Sequence, residues 1–288
     1  MRTLRWFEGA LVFIVSYIVS SVVILPLIPF LSLRSVTAIS VVVLVGIAYL
    51  WTRRLTGDVP GYVGMHAVSP GVLALTAIGS FAVMIPVMSL QAVVLERFRA
   101  PPEVLHALED LIRAENPLQF AYAILVAAAG ASISEEFVFR GILQNSLSGR
   151  VGPWRALVLA TIVFGLLHTL WRFPAAFILG LFLGFLYLRT GSLIPGLLSH
   201  FITNVSSIVL FNVAEHSASG IIPVWMEQDR PAPAYLVALS LSVFIVVLVA
   251  LWRATGEEAD SYPPGRRAGG SAAGDGVIHH EESGHDLA

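Results

Sequence analysis

The chain contains no cysteine and no lysine, and it is poor in charge of either sign: only 12% of its 288 residues are Asp, Glu, Lys or Arg. Soluble globular proteins carry about 25%, so this deficit excludes an ordinary water-soluble enzyme and a disordered chain alike. Without cysteine there is no disulfide framework, no thiolate metal site and no cysteine nucleophile. With all 17 basic residues arginine, Schiff-base and Ser–Lys chemistry are also removed. A formal net charge of -2 offers nothing to a phosphate backbone, so no nucleic-acid partner is expected. What the chain does have is apolar surface, with 56% hydrophobic residues. That composition describes an all-α polytopic membrane protein with the lipid bilayer as its solvent.

A helix needs about 20 apolar residues to cross a hydrocarbon core ~30 Å thick. About eight segments qualify as transmembrane helices: 9–31, 35–52, 71–94, 117–147, 154–170, 173–189, 192–213 and 232–252. The first is too long for a signal-peptide core and lacks a small-residue cleavage site, so it is expected to be retained. Pro26 and Pro29 are expected to end or kink it near its far side. Residues 100–115 place Val104, Leu105, Leu108, Leu111 and Ile112 on one helical face, the pattern of a helix lying on a membrane surface. The chain thus divides into N-terminal transmembrane helices with this interfacial helix (1–116), a helix bundle (117–213), a loop with the last span (214–254), and a tail (255–288). That tail is too polar to bury a core and is expected to be disordered, with His279, His280 and His285 solvated in it. A slight arginine bias among the loops favours cytoplasmic N- and C-termini in a multi-pass protein of a bacterial or archaeal cell membrane.

Ionisable groups inside a span are expensive, at least ~2.5–3.5 kcal/mol at mid-bilayer, and usually functional. Between Glu115 and Glu215 the acids are Glu135 and Glu136, adjacent and mid-span in SISEEFVFRGILQN, with Arg140 in the same span. The following spans contribute His168, then His200 with Asn204. Glu136 and Arg140, four apart, share a helix face and can pair. Glu135 and Arg140, five apart, lie about 140° apart on an α-helix, which leaves Glu135 free to face something else. Counting inwards from Arg150, Arg155 and Arg189 puts Glu135 about 22 Å deep, His168 about 20 Å, His200 about 16 Å and Asn204 about 22 Å. Three helices therefore bring their polar exceptions to one layer. Gly180 and Gly184 (a GxxxG pattern) suit close helix packing, and Ser132, Ser134 and Ser199 suit hydrogen bonds to helix backbone rather than nucleophilic chemistry.

A carboxylate in an apolar layer suits a general base, and a neighbouring histidine can share its proton or orient a water. A second histidine and an amide are donors for a developing oxyanion. Together they describe acyl hydrolysis by activated water, and peptide cleavage within the membrane fits best.

At these residues the chain resembles a known family. EEFVFR is similar to the EExxxR motif of the CPBP (CAAX protease and bacteriocin-processing, or Abi) family of intramembrane proteases; Phe164–His168 resembles its FxxxH motif and His200–Asn204 its HxxxN motif. The resemblance covers residues 118–213 and implies that Glu135 activates water with His168. It further implies that His200 and Asn204 stabilise the oxyanion and that Glu136 and Arg140 support the site. It implies an endopeptidase similar to the type II CAAX prenyl enzyme, acting on a membrane-associated protein or peptide without a cofactor. Three alternatives stay open: a zinc peptidase with Glu135, His168 and His200 as ligands, a non-catalytic scaffold or bacteriocin immunity protein, and a transporter with a proton-relay carboxylate.

Overall fold

The computed structural model describes residues 3–98, 101–216 and 230–256, apart from the side chains of Val104 and Leu108. The tail beyond residue 256, with its three histidines, lies outside the described residues. Every regular element among those described is helical. Among the described residues, seven helices are long and apolar enough to cross a membrane: Trp6–Phe30, Leu33–Thr56, Pro70–Phe98, Pro117–Val151, Phe173–Thr190, Leu193–His216 and Ala234–Ala254. The chain is an integral membrane protein.

The helices are numbered α1 (Trp6–Ile24), α2 (Leu33–Thr56), α3 (Val59–Val63), α4 (Pro70–Phe98), α5 (Pro102–Ile112), α6 (Pro117–Val151), α7 (Pro153–Leu166), α8 (Phe173–Thr190), α9 (Leu193–His216) and α10 (Ala234–Ala254). Turn chemistry explains the boundaries. α1 tightens into a 3-10 turn over Leu25–Phe30, where Pro26 and Pro29 withdraw backbone donors. Asn116 caps α6 by accepting from the Gln119 amide at 2.9 Å, and Pro117 follows where a missing donor costs nothing. Gly57 and Gly191 end α2 and α8 with φ of 80° and 58°, backbone that only glycine adopts freely.

One expected span comes out shorter. The segment 154–170 becomes the 14-residue α7, which stops at Leu166 and gives way to turns through Arg172. Pro174, in the first turn of α8, supplies the restart. At 1.5 Å per residue α7 is about 21 Å long, short of the hydrocarbon core. His168 therefore stands in a turn at the inner end of α7, not inside a span. That turn is braced from α4: Gln91 Nε2 donates to the Trp171 carbonyl at 3.1 Å, and Trp171 Nε1 donates to the Phe98 carbonyl at 3.1 Å.

The core is arranged around α6, which packs against α1, α2, α7 and α9. The interfacial segment forms as the helix α5, with Leu105, Leu111 and Ile112 half-buried and His106, Ala107 and Asp110 exposed. The chain after it is tied down: Asn212 Oδ1 accepts from the Ala114 amide at 2.8 Å while its Nδ2 donates to the Ile112 carbonyl at 2.9 Å. Arg34 of α2 donates to the Asp110 and Arg113 carbonyls, and Arg113 pairs with Glu215.

Candidate active site

The winding of α6 sets the geometry of the site. Over Ile124–Gly130 and again over Glu136–Gln144 the helix loosens from α to π. Such segments are rare and frequent at functional sites. They bond residue i to i+5, so positions five apart turn towards one face. Arg140 contacts Glu136 at 3.1 Å, and Glu135 is left to face His200.

The two glutamates occupy opposite environments. Glu136 is fully buried, and its Oε1 is shared between Arg140 Nη1 at 3.1 Å and His200 Nδ1 at 2.9 Å. Glu135 keeps 25% of its side chain exposed and faces His200 Nε2 at 3.7 Å. His200, itself 5% exposed at the side chain, stands between the two carboxylates. The spacing argument foresaw the Glu136–Arg140 pair but not that His200 would reach Glu136 from α9.

Arg140 is held on three sides. It donates to Glu136, its Nη2 donates to the Gly180 carbonyl at 3.1 Å, and its guanidinium lies 4.7 Å over the Phe164 ring. One turn on, Gln144 Nε2 repeats the contact with the Gly184 carbonyl at 3.0 Å. The GxxxG pair thus does more than pack helices: a Cβ on Gly180 would meet Thr161 Cγ2 at 2.9 Å, and one on Gly184 would meet Leu157 Cγ at 2.9 Å. Bare backbone there lets α7 approach α8 and leaves two carbonyls open to α6 side chains.

Hydrogen-bond partners fix the imidazole tautomers. The Phe164 carbonyl, 2.8 Å from His168 Nδ1, can only accept, so Nδ1 carries the proton and Nε2 of the neutral ring presents a lone pair. His168 packs against the Phe164 ring, centroids 4.6 Å apart and planes tilted by 56°. Likewise His200 Nδ1 donates to the carboxylate of Glu136. His200 Nε2 is then an acceptor when the ring is neutral and a donor only when it is protonated. Asn204 turns its amide towards α6, with Nδ2 donating to the Ala127 carbonyl at a long 3.4 Å.

The serines take structural partners: Ser132 and Ser134 donate to the Ala128 and Gly130 carbonyls at 2.7 Å and 2.9 Å, and Ser199 accepts from Ser80 at 2.8 Å. Among the described residues no group of three or more His, Asp or Glu is placed to hold a metal ion. Two site neighbours escaped the sequence reading. Tyr17 of α1 and Arg172, in the turn after His168, both interact electrostatically with Glu135. Neither breaks a pattern that the sequence makes visible, since Tyr17 sits in an apolar run and Arg172 reads as a helix-end charge.

The close approach of α9 to Glu136 depends on Gly196, where a Cβ would meet Glu136 Oε2 at 2.9 Å. Gly196→Ala should displace that carboxylate and cost about 1–3 kcal/mol, the range for overpacking. A lowered thermal midpoint in detergent, against an unchanged one for Gly46→Ala, where a Cβ meets nothing within 4 Å, checks this.

Comparison with known proteins bears on the same residues. No curated protein and no solved structure gives a match. The family model described as type II CAAX prenyl endopeptidase, Rce1-like, matches residues 117–206. That stretch starts at the first residue of α6 and ends just past Asn204, so it takes in Glu135, Glu136, Arg140, His168, His200 and Asn204. Over residues 117–206, the stretch that carries the three motifs, the chain is similar to the Rce1-like type II CAAX prenyl endopeptidases.

Proposed function

We propose that this protein is an intramembrane endopeptidase that hydrolyses a peptide bond of a membrane-associated protein or peptide with water activated by Glu135 and His168. The observation that carries this reading is the division of labour between adjacent glutamates. Glu136 is buried and committed to Arg140 and His200, whereas Glu135 is part-exposed and faces His200 without a close partner. A structural ion pair needs one acid; the second is available for chemistry.

Water placed between the Glu135 carboxylate and the His168 Nε2 lone pair loses a proton to that pair as its oxygen bonds to the peptide carbonyl carbon. Asn204 and protonated His200 Nε2 donate to the oxyanion that develops. When the tetrahedral intermediate collapses, the carbon–nitrogen bond breaks. The amine leaves with the proton that Glu135 and His168 had taken up, and a new carboxylate remains. Glu136 and Arg140 hold His200 in register from behind. No serine ester forms along this path.

We assign no cofactor to this reaction. Purified protein should keep its activity after exhaustive chelation and metal-free gel filtration; activity lost on chelation and restored by zinc would favour the metallopeptidase instead. The scaffold reading makes the opposite prediction for Glu135, because a sequestering protein keeps its phenotype when that carboxylate becomes an amide.

A further inference from the structure

The reaction outlined above leaves two neighbouring polar residues, Tyr17 and Arg172, unused. Tyr17 lies on α1, outside the segment that matches the family. Its ring packs 4.9 Å from Phe13 and, edge-on, 6.0 Å from Phe139. Phe139 belongs to EEFVFR and stands 5.0 Å, edge-on, from Phe164, the ring against which His168 packs. A row of aromatic rings thus runs from α1 to His168 along one wall of the site. Tyr17 is half-buried, and its ring rests against Phe139, one helical turn beyond Glu135 on α6.

The Tyr17 hydroxyl donates to no described residue, unlike that of Tyr122, which donates to the Arg34 carbonyl. Ring packing alone would be served as well by phenylalanine, without the penalty of an unpaired hydroxyl among apolar side chains. Several other donors beside the carboxylates are already engaged. Arg140 is spent on Glu136 and the Gly180 carbonyl, His168 Nδ1 on the Phe164 carbonyl, and His200 Nδ1 on Glu136. A peptide entering this apolar layer brings carbonyl oxygens that must each find a donor.

We propose that Tyr17 is a substrate-binding residue of this site, its hydroxyl donating a hydrogen bond to a backbone carbonyl oxygen of the peptide held against Glu135. The site is then built from α1 as well as from the family segment, and it is incomplete without the N-terminal helix. The proposal takes its ligand class, a peptide, from the function proposed above.

Tyr17→Phe keeps the rings and removes only the hydroxyl, so the thermal midpoint should stay within error of wild type. The probe is a fluorescent farnesylated peptide ending in a CAAX sequence, presented to the full-length protein in phosphatidylcholine vesicles. Tyr17→Phe should lower kcat/KM about 10–100-fold. In the non-cleaving Glu135→Gln background it should weaken binding of the same peptide about 5–20-fold. Unchanged cleavage and binding would overturn the proposal. Slower cleavage with unchanged binding would also overturn it, because Tyr17 would then act through Glu135 rather than on the peptide.

Failure of wild type to cleave or bind the probe would count against the peptidase reading, and a second measurement then decides Tyr17 independently. The chain has no cysteine, so a single Tyr17→Cys can be labelled cleanly by a water-soluble methanethiosulfonate. Labelling at Tyr17→Cys, with none at the fully buried Val12→Cys, places position 17 on the water-accessible face of the site. No labelling at position 17 overturns the proposal.

Discussion

Glu135→Gln should lower the rate of peptide hydrolysis by about 10²–10⁴-fold, the acceleration a positioned general base supplies, while the thermal unfolding of the purified protein stays unchanged. Both halves follow from its surroundings. Glu135 keeps a quarter of its side chain exposed and makes no short ion pair, its nearest one being 3.7 Å from His200 Nε2. Little packing or pairing energy is therefore lost when one oxygen becomes an amide of the same shape. What is lost is basicity, because an amide cannot take the proton that the attacking water must shed. Stopped and continuous assays with reconstituted protein measure the first half, and calorimetry or dye-based unfolding in detergent the second. A large fall in stability would make Glu135 a structural residue.

Arg140→Met should have the reverse profile, a loss of folded protein worth about 3–5 kcal/mol, the usual cost of removing one partner from a buried ion pair. Glu136 is fully buried, and its Oε2 has no protein partner. Without the guanidinium it keeps only His200 Nδ1 at 2.9 Å. The Gly180 carbonyl loses its donor in the same step. The paired replacement Glu136→Leu/Arg140→Leu should recover most of that stability, since no unpaired charge is left behind. It should remain inactive, because His200 loses the carboxylate that accepts from its Nδ1 and fixes the ring. Unfolding midpoints of the single and paired variants, set against their cleavage rates, separate the two effects. A single variant as stable as wild type would mean that the buried pair contributes nothing.

The motif residues were legible in the sequence because a membrane makes polar residues conspicuous. Glu135, Glu136, Arg140, His168, His200 and Asn204 stand out from apolar runs, and helical rise alone put them at similar depth. Spacing also foresaw the Glu136–Arg140 pair. What could not be read locally was how α9 turns against α6. His200 closes on both glutamates because Gly196 lets the helices touch, and a glycine four residues away carries no such message by itself. The π winding after Glu135 was equally hidden, since no residue type announces it. α7 reads as a span from hydropathy up to residue 170, yet ends at Leu166 because the chain must turn ahead of Pro174. Tyr17 was invisible for the opposite reason: an aromatic in an apolar helix looks like packing until its neighbours are known.

The central claim, that Glu135 drives cleavage of a membrane-associated peptide bond, is tested most directly by comparing the membrane proteome of cells producing the wild-type chain with that of cells producing Glu135→Gln at equal level. The account predicts at least one membrane-associated protein or peptide that is shortened in wild type and full-length in the variant. A proteome in which no membrane-associated protein changes length between the two would contradict it.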